Sequence, residues 1–324
     1  MRPARTLFGA LLLVLLLSAG ACADTATTDP ASSPAATATP SVGSPAAVAF
    51  PVSITDDDGV EVTLEAEPER IVTFAPSATE IVFALGLGDL LVGVAGPFDD
   101  YPAEAADIQE VGGAGDFGVD PNVEQVLALE PDLFLTIKGG DQWKERLRDL
   151  GVPVVTLDAT DVDDLVADIE VAGRITGATD EAVALGEDIA AQVAEVASAL
   201  ESVEPVTCFY ETFYPPLYTV GPGTFIYDLL ERAGCDPVTA SATGQYPEWS
   251  VEDLVEQGPD VYLVSSESGA SARAVARRAG FEAVEAVAAG RVFPIDSDLA
   301  ERPGPRIVQG LRLLAEALHP EAFA

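Results

Sequence analysis

ATDEAVALGEDIAAQVAEVASALESV, residues 178–203, places Leu185, Ile189, Val193, Val196 and Leu200 at steps of 4, 4, 3 and 4, the apolar stripe of an α-helix. Thr179 stands where it can cap the first turn, with Asp180 and Glu181 near the positive end of the helix dipole. Seven alanines between Asp180 and Val203 favour the helix, and only Gly186 weakens it. A helix over residues 179–203 is roughly 36 Å long, about the width of a small domain. Periodicity alone leaves two readings open: a rigid strut between two lobes, or an ordinary surface helix within one domain.

The flanking chain favours the strut. Upstream, Val52–Thr55 and Val60–Leu64 alternate around Asp58-Gly59 and read as a β-hairpin. Ile71–Ala75 is a buried strand, and Ser77-Ala78-Thr79-Glu80 opens a helix with a Ser-x-x-Glu capping box, stopped at Gly86. Leu90–Val94 follows as a strand, and strand, helix and strand in succession imply a parallel sheet. Downstream, Val206–Tyr210, Val261–Ser265 and Arg291–Ile295 read as strands between helices. VEQVLALEPDLFL at 123–135 aligns without gaps to VEDLVEQGPDVYL at 251–263, so that Glu124 meets Glu252, Pro131 meets Pro259 and Asp132 meets Asp260. The expected fold is therefore α/β: two Rossmann-like lobes with parallel sheets, residues 49–178 and 204–324, joined by the connecting helix 179–203. A ligand cleft is expected between the lobes.

Charge and the N-terminus narrow the class. The net charge is −38; removal of the segment carrying Arg2 and Arg5 leaves 14 basic against 54 acidic residues, or −40. Nucleic acid and anionic membrane surfaces are thus excluded as direct partners. Leu7–Leu17 is apolar but short for a membrane span, and residues 1–22 read as a lipoprotein-type signal peptide ending Ser18-Ala19-Gly20-Ala21-Cys22. Lipidation of Cys22 and cleavage by the ordinary signal peptidase after Ala21 or Ala23 both remain open; Ala19 stands where the lipoprotein signal usually has leucine. Residues 23–48, rich in Ala, Thr, Ser and Pro, are expected to be a disordered tether. Export permits disulfides, and Cys208 and Cys235 are either one bridge or two buried thiols.

Catalytic signatures are missing. The one histidine, His319, lies beside the C-terminus, which opposes a His-rich metal site and a Ser-His-Asp triad. There is no Gly-x-Ser-x-Gly elbow, no phosphate-binding glycine loop and no Cys-x-x-Cys. No enzyme, metal or cofactor is expected. What stands out is aromatic clustering near prolines: Phe209 to Tyr218 holds five aromatics in ten residues, Tyr246 and Trp249 add two, and Phe98, Tyr101 and Phe117 belong to the first half. Strand aromatics such as Phe209 read as core, and those in Pro-containing loops as walls for a large flat ligand. Arg302, in a loop, could face the cleft; Arg306 reads as a structural helix-end residue.

PERIVTFAPSATEIVFALGLGDLLVGV, the Asp100-Tyr101-Pro102 triplet, GVPVVTLDAT at 151–160 and ERPGPRIVQGLRLLAEAL resemble the periplasmic, helical-backbone (class III) substrate-binding proteins of ABC importers for vitamin B12 and ferric siderophores. The likeness covers about residues 50–320 and is greatest to the vitamin B12 branch. It implies a ligand held between two lobes, modest hinge motion, and capture and delivery of a corrinoid to a permease–ATPase complex. By resemblance, ligand contacts fall on Phe98, Tyr101, Phe117, Tyr210, Tyr246, Asp298 and Arg302, with Trp249 added from its place beside Tyr246. Ile137 and Leu299 stand where B12 binders have tryptophan. The resemblance also implies docking on the permease through one glutamate per lobe, matching Glu80 and Glu231. The expected protein is an exported monomer, lipid-anchored on the outer face of the cytoplasmic membrane or periplasmic. A ferric siderophore or haem is the alternative ligand, and a cofactor- or metal-handling enzyme or a structural surface protein the alternative class.

Overall fold

The structure, a computed structural model, describes residues 49–113 and 120–324. Cys22, the signal and tether segments and Phe117 lie outside the described residues. The first half runs β1 Val52–Thr55, β2 Glu61–Leu64, β3 Ile71–Phe74, α1 Pro76–Ala84, β4 Leu91–Gly93, α2 Val123–Ala128, β5 Leu133–Thr136, α3 Asp141–Asp149, β6 Val154–Thr156 and α4 Val162–Thr176. Helix α5, Thr179–Leu200, follows without a break. The second half runs β7 Val206–Phe213, β8 Tyr218–Thr219, α6 Phe225–Arg232, β9 Cys235–Pro237, α7 Val251–Gln257, β10 Val261–Ser265, α8 Ala272–Val275, α9 Glu285–Ala288, β11 Val292–Ile295, α10 Ser297–Ala300 and α11 Ile307–Leu318.

Each half is built on a parallel sheet; β3, β5 and β10 at the centres are mostly apolar, as burial on both faces requires, while β7 carries the buried Glu211 and two threonines. The first sheet has the order β4-β3-β5-β6. In the second, β9-β7-β10-β11 reproduces that order, with β8 added antiparallel to β7. The sequence repeat maps onto this: α2–β5 and α7–β10 occupy the same place in the two sheets. Asp132 and Asp260, which the repeat aligns, do the same work. Asp132 accepts from the backbone N–H groups of Glu69 and Arg70 just before β3, at 2.8 and 2.9 Å. Asp260 accepts from the N–H and hydroxyl of Thr207 at the start of β7, at 3.1 and 2.7 Å. Each carboxylate ties its turn to the neighbouring strand of the same sheet.

Helix α5 buries Ala182, Gly186, Ile189 and Val196 on one face. Its close approach to α4 depends on glycine: a Cβ on Gly173 would lie 2.3 Å from the Ala182 methyl. One apolar core is continuous across both halves, from Ile71 and Leu135 through Ile189 and Val196 to Leu263 and Leu311. Smaller clusters cover the far side of each sheet, around Phe134 and Leu147 in the first and Tyr262 and Phe281 in the second. Cys208 and Cys235 are joined as a disulfide that links β7 to β9.

Two expected caps are not formed. Thr179 is itself the first helical residue of α5, after Ala178, and its buried hydroxyl has no hydrogen-bond partner. Ser77 makes no cap on α1, because the chain enters at Ala75 with Pro76 in the first turn and Glu80 is drawn to a distant arginine. Between β10 and β11 the helices are single turns, Ala272–Val275 and Glu285–Ala288.

Candidate functional site

The carboxyl ends of β3, β5 and β6 open onto one side of a cleft, as ligand sites in parallel sheets generally do. The segments just beyond them supply Ala75 to Ser77, Ile137, Lys138 and Asp158 to Thr160. Gly223 to Ile226, Gln245, Tyr246 and Glu301 to Pro303 of the second half face them across a cavity of 410 Å³. A neighbouring hollow of 540 Å³ is lined by Ala95, Phe98, Ser266, Glu267, Ser297 and Asp298. Pro76, Glu301 and Arg302 line both. A ligand broad enough to cross from one to the other meets all three.

Of the residues singled out by sequence, Tyr246, 55 % exposed, lines the first hollow, Phe98, 65 % exposed, and Asp298 the second, and Arg302 both. These four come together. Tyr101 does not join them: it lines a separate hollow with Glu80, Phe83 and Pro305, its ring 3.8 Å beneath the Arg306 guanidinium. Tyr210 is 1 % exposed, so it is no wall of the cleft; it lies on β7 with its hydroxyl donating to Glu301 Oε1 at 2.7 Å. Trp249 lines neither hollow and packs against the second-half core. Of the rest of the aromatic run, Phe213 is 51 % exposed but lines neither hollow. Phe209 is buried, and Tyr214 stacks under Arg278 at 4.1 Å and edge-on to Phe281.

The cleft is acidic, and its cations are already engaged. Lys138 Nζ lies 3.4 Å from Asp158. Arg302 reaches Asp298 at 2.6 Å and Asp100 at 3.4 Å. Among the described residues no cation pairs with Glu301 or Glu267, which also line the cleft. Burial raises the Glu301 carboxyl above its ordinary range, against the lowering effect of hydrogen bonds from Ser265 and Tyr210. Burial likewise pushes the Tyr246 hydroxyl up. Sequence reasoning missed Glu301, because one acid among 54 carries no mark until Tyr210 is seen behind it.

The halves are tied on both sides of this cleft. On one, Arg306 forks onto buried Glu80 at 2.6 and 2.9 Å, with Arg302 3.9 Å from the same carboxylate. On the other, Asp228 of α6 accepts from the N–H of Val162 at 3.2 Å, and Arg232 meets Asp163 at 3.0 Å. Glu80 is 3 % exposed and both its oxygens are taken, so it offers none to a permease arginine. The docking role drawn for Glu80 does not hold. Glu231 is exposed in the last turn of α6.

Residues 71–299 match a family model described as periplasmic binding protein. An uncharacterised ABC transporter substrate-binding lipoprotein of Bacillus subtilis is 34% identical over 85% of this chain and 87% of its own. A cobalamin-binding protein of Halobacterium salinarum is 33% identical over 84% of this chain and 75% of its own. The solved structure of an ABC-type Fe3+-hydroxamate transport protein from Saccharomonospora viridis is 28% identical, covers 83% of this chain and 99% of its own, and superposes with a TM-score of 0.69. With two repeated α/β lobes on one helix and a cleft at the carboxyl ends of both sheets, the chain belongs to the periplasmic binding protein family, as an extracytoplasmic substrate-binding component of an ABC importer and not an enzyme.

Proposed function

We propose that the cleft captures a corrinoid and presents it to an ABC permease. The observation that carries this reading is the charge of the cleft: Lys138 and Arg302 are neutralised by Asp158, Asp298 and Asp100, and Glu301 and Glu267 add carboxylates that no arginine or lysine among the described residues offsets. An anionic iron chelate or the propionates of haem would meet like charge in a partly desolvated site, at a cost that water does not screen. A corrinoid carries amides around its rim and little net charge. Mechanism is binding alone: Tyr246, Phe98, Ile137 and Phe225 take the apolar faces out of water, and Glu301, Asp298 and Arg302 orient the polar rim. The cobalamin-binding relative supports this choice. A neutral or cationic ferric hydroxamate is the second reading, because the same charge balance admits it and one similar structure is named for that transport.

Calorimetric titration with cyanocobalamin, a ferric hydroxamate and haem separates these. Binding of cyanocobalamin well above the others is expected, and no heat with it rejects the corrinoid reading. Tryptophan quenching is a poor substitute, since Trp143 packs against Phe74 and Phe134 and Trp249 against the second-half core.

For docking, the resemblance asks for one glutamate per lobe, and burial removes Glu80. The internal repeat supplies a matched pair instead: Glu124 and Glu252 are both exposed in the first turns of α2 and α7. We assign docking to this pair, with Glu231 as the competing residue of the second lobe. We further assign a lipid anchor to Cys22 and a spacer role to residues 23–48, with 49–178 and 204–324 as the lobes and the protein acting as a monomer. The mass of the purified N-terminus checks the anchor, and an unmodified start at Cys22 or Asp24 excludes it.

A further inference from the structure

Glu301 stands where the two hollows of the cleft meet, at the residue that ends α10. Its position is fixed from behind. Tyr210, itself buried on β7, holds Oε1 at 2.7 Å, and the Tyr210 carbonyl is anchored by the Thr219 hydroxyl at 2.7 Å. The adjacent Arg302 does not neutralise it, being turned to Asp298 and Asp100. We propose that Glu301 is the specificity-determining residue of the cleft, admitting a ligand edged with carboxamides and rejecting one edged with carboxylates. The proposal rests on the corrinoid reading and adds to it a residue and a rule.

The rule follows from hydrogen-bond inventory. An ionised Glu301 only accepts, so its partner must donate; a protonated one also donates, so its partner must accept. A primary amide offers both an N–H and a carbonyl oxygen and suits either state. A carboxylate has nothing to donate to the ionised acid and meets its charge, and Glu267 and Asp298 nearby reinforce that field. Replacing Glu301 by glutamine keeps its size and an oxygen to accept from Tyr210, removes the charge, and puts an N–H donor in place of the second oxygen.

The test compares cyanocobalamin with its monocarboxylates, in which single rim amides have been hydrolysed, so that the probes share one frame and differ by one charge. Wild-type protein should bind cyanocobalamin about tenfold more tightly than the most disfavoured monocarboxylate. The readout is the ratio of the two affinities within each protein: Glu301→Gln should shrink that gap to about twofold, whatever it does to cyanocobalamin binding itself, its unfolding midpoint serving as the check on folding. No gap in the wild type, or the same gap in both proteins, overturns the proposal and leaves the corrinoid reading standing. Failure of the wild type to bind any of these probes overturns both.

Discussion

Asp168, on α4, is one of the few carboxyls of this acidic chain that the fold makes uncomfortable. It is 7 % exposed, and burial, with Asp57 hydrogen-bonded to it and Asp164 and Asp158 nearby, raises its pKa from 3.8 to about 8. The folded protein therefore holds the proton more tightly than the unfolded chain. The stability this group contributes is complete below its unfolded value of 3.8 and is lost as pH rises toward about 8. Asp168→Asn keeps the hydrogen bond and cannot ionise. It should gain about 1–3 kcal/mol over wild type by the top of that window and almost nothing at its acid end, read from urea midpoints across pH. A gain that does not change with pH would refute the assignment. None of this was legible in the sequence, where Asp57 and Asp168 stand far apart among dozens of acids. The Asp-rich turn 56–58 read only as a hairpin tip. In the fold it is pinned to the end of β6, with Asp58 on buried Lys144 at 2.7 Å and Asp56 on the Thr156 N–H at 3.1 Å.

At the scale of elements the sequence was more informative, because periodicity and turn chemistry are local. β10 falls at Val261–Ser265 as expected, and α5 is a single helix over most of the predicted length. Local patterns failed where a distant group competed. Ser77-x-x-Glu80 has the spacing of a capping box, yet Arg306, 226 residues away, takes the carboxylate. The Phe209–Tyr218 run was legible only in part: Phe209 is core as expected, but Tyr210 on the same strand and Tyr214 beside Pro215 are structural too, because their packing partners are remote along the chain. The repeat was legible, and it yields a test. Reversing charge at the starts of α2 and α7 together, Glu124→Arg with Glu252→Arg, should abolish uptake by cells while ligand affinity stays within about twofold of wild type. Unimpaired uptake, with loss instead on Glu231→Arg, would move the docking site of the second lobe to α6.

Over the whole molecule, a continuous core and ion pairs on both flanks of the cleft join the halves. The sequence made two lobes visible but not their union, since the joining contacts are between residues remote along the chain. A calorimetric scan should show one unfolding transition, not two. Glu80 has a side chain 2 % exposed, and its partner Arg306 one 16 % exposed. Glu80→Gln should therefore cost about 3–5 kcal/mol, by stranding a partly buried guanidinium. Replacing both partners with apolar residues of similar size should recover much of that loss. Two separate transitions would show that the halves unfold independently, and a negligible cost for Glu80→Gln that the core and the helix hold them together without this ion pair.

Lysine is so scarce here that its placement has a practical use. Lys144 is wholly sealed under the hairpin tip, and Lys138 stands 49 % exposed at the mouth of the binding cavity. An amine-reactive fluorophore would thus find a single accessible side-chain target, already beside the place where cargo arrives. Evolution toward an acidic surface has left the molecule with a ready position for an optical sensor, needing no engineered cysteine.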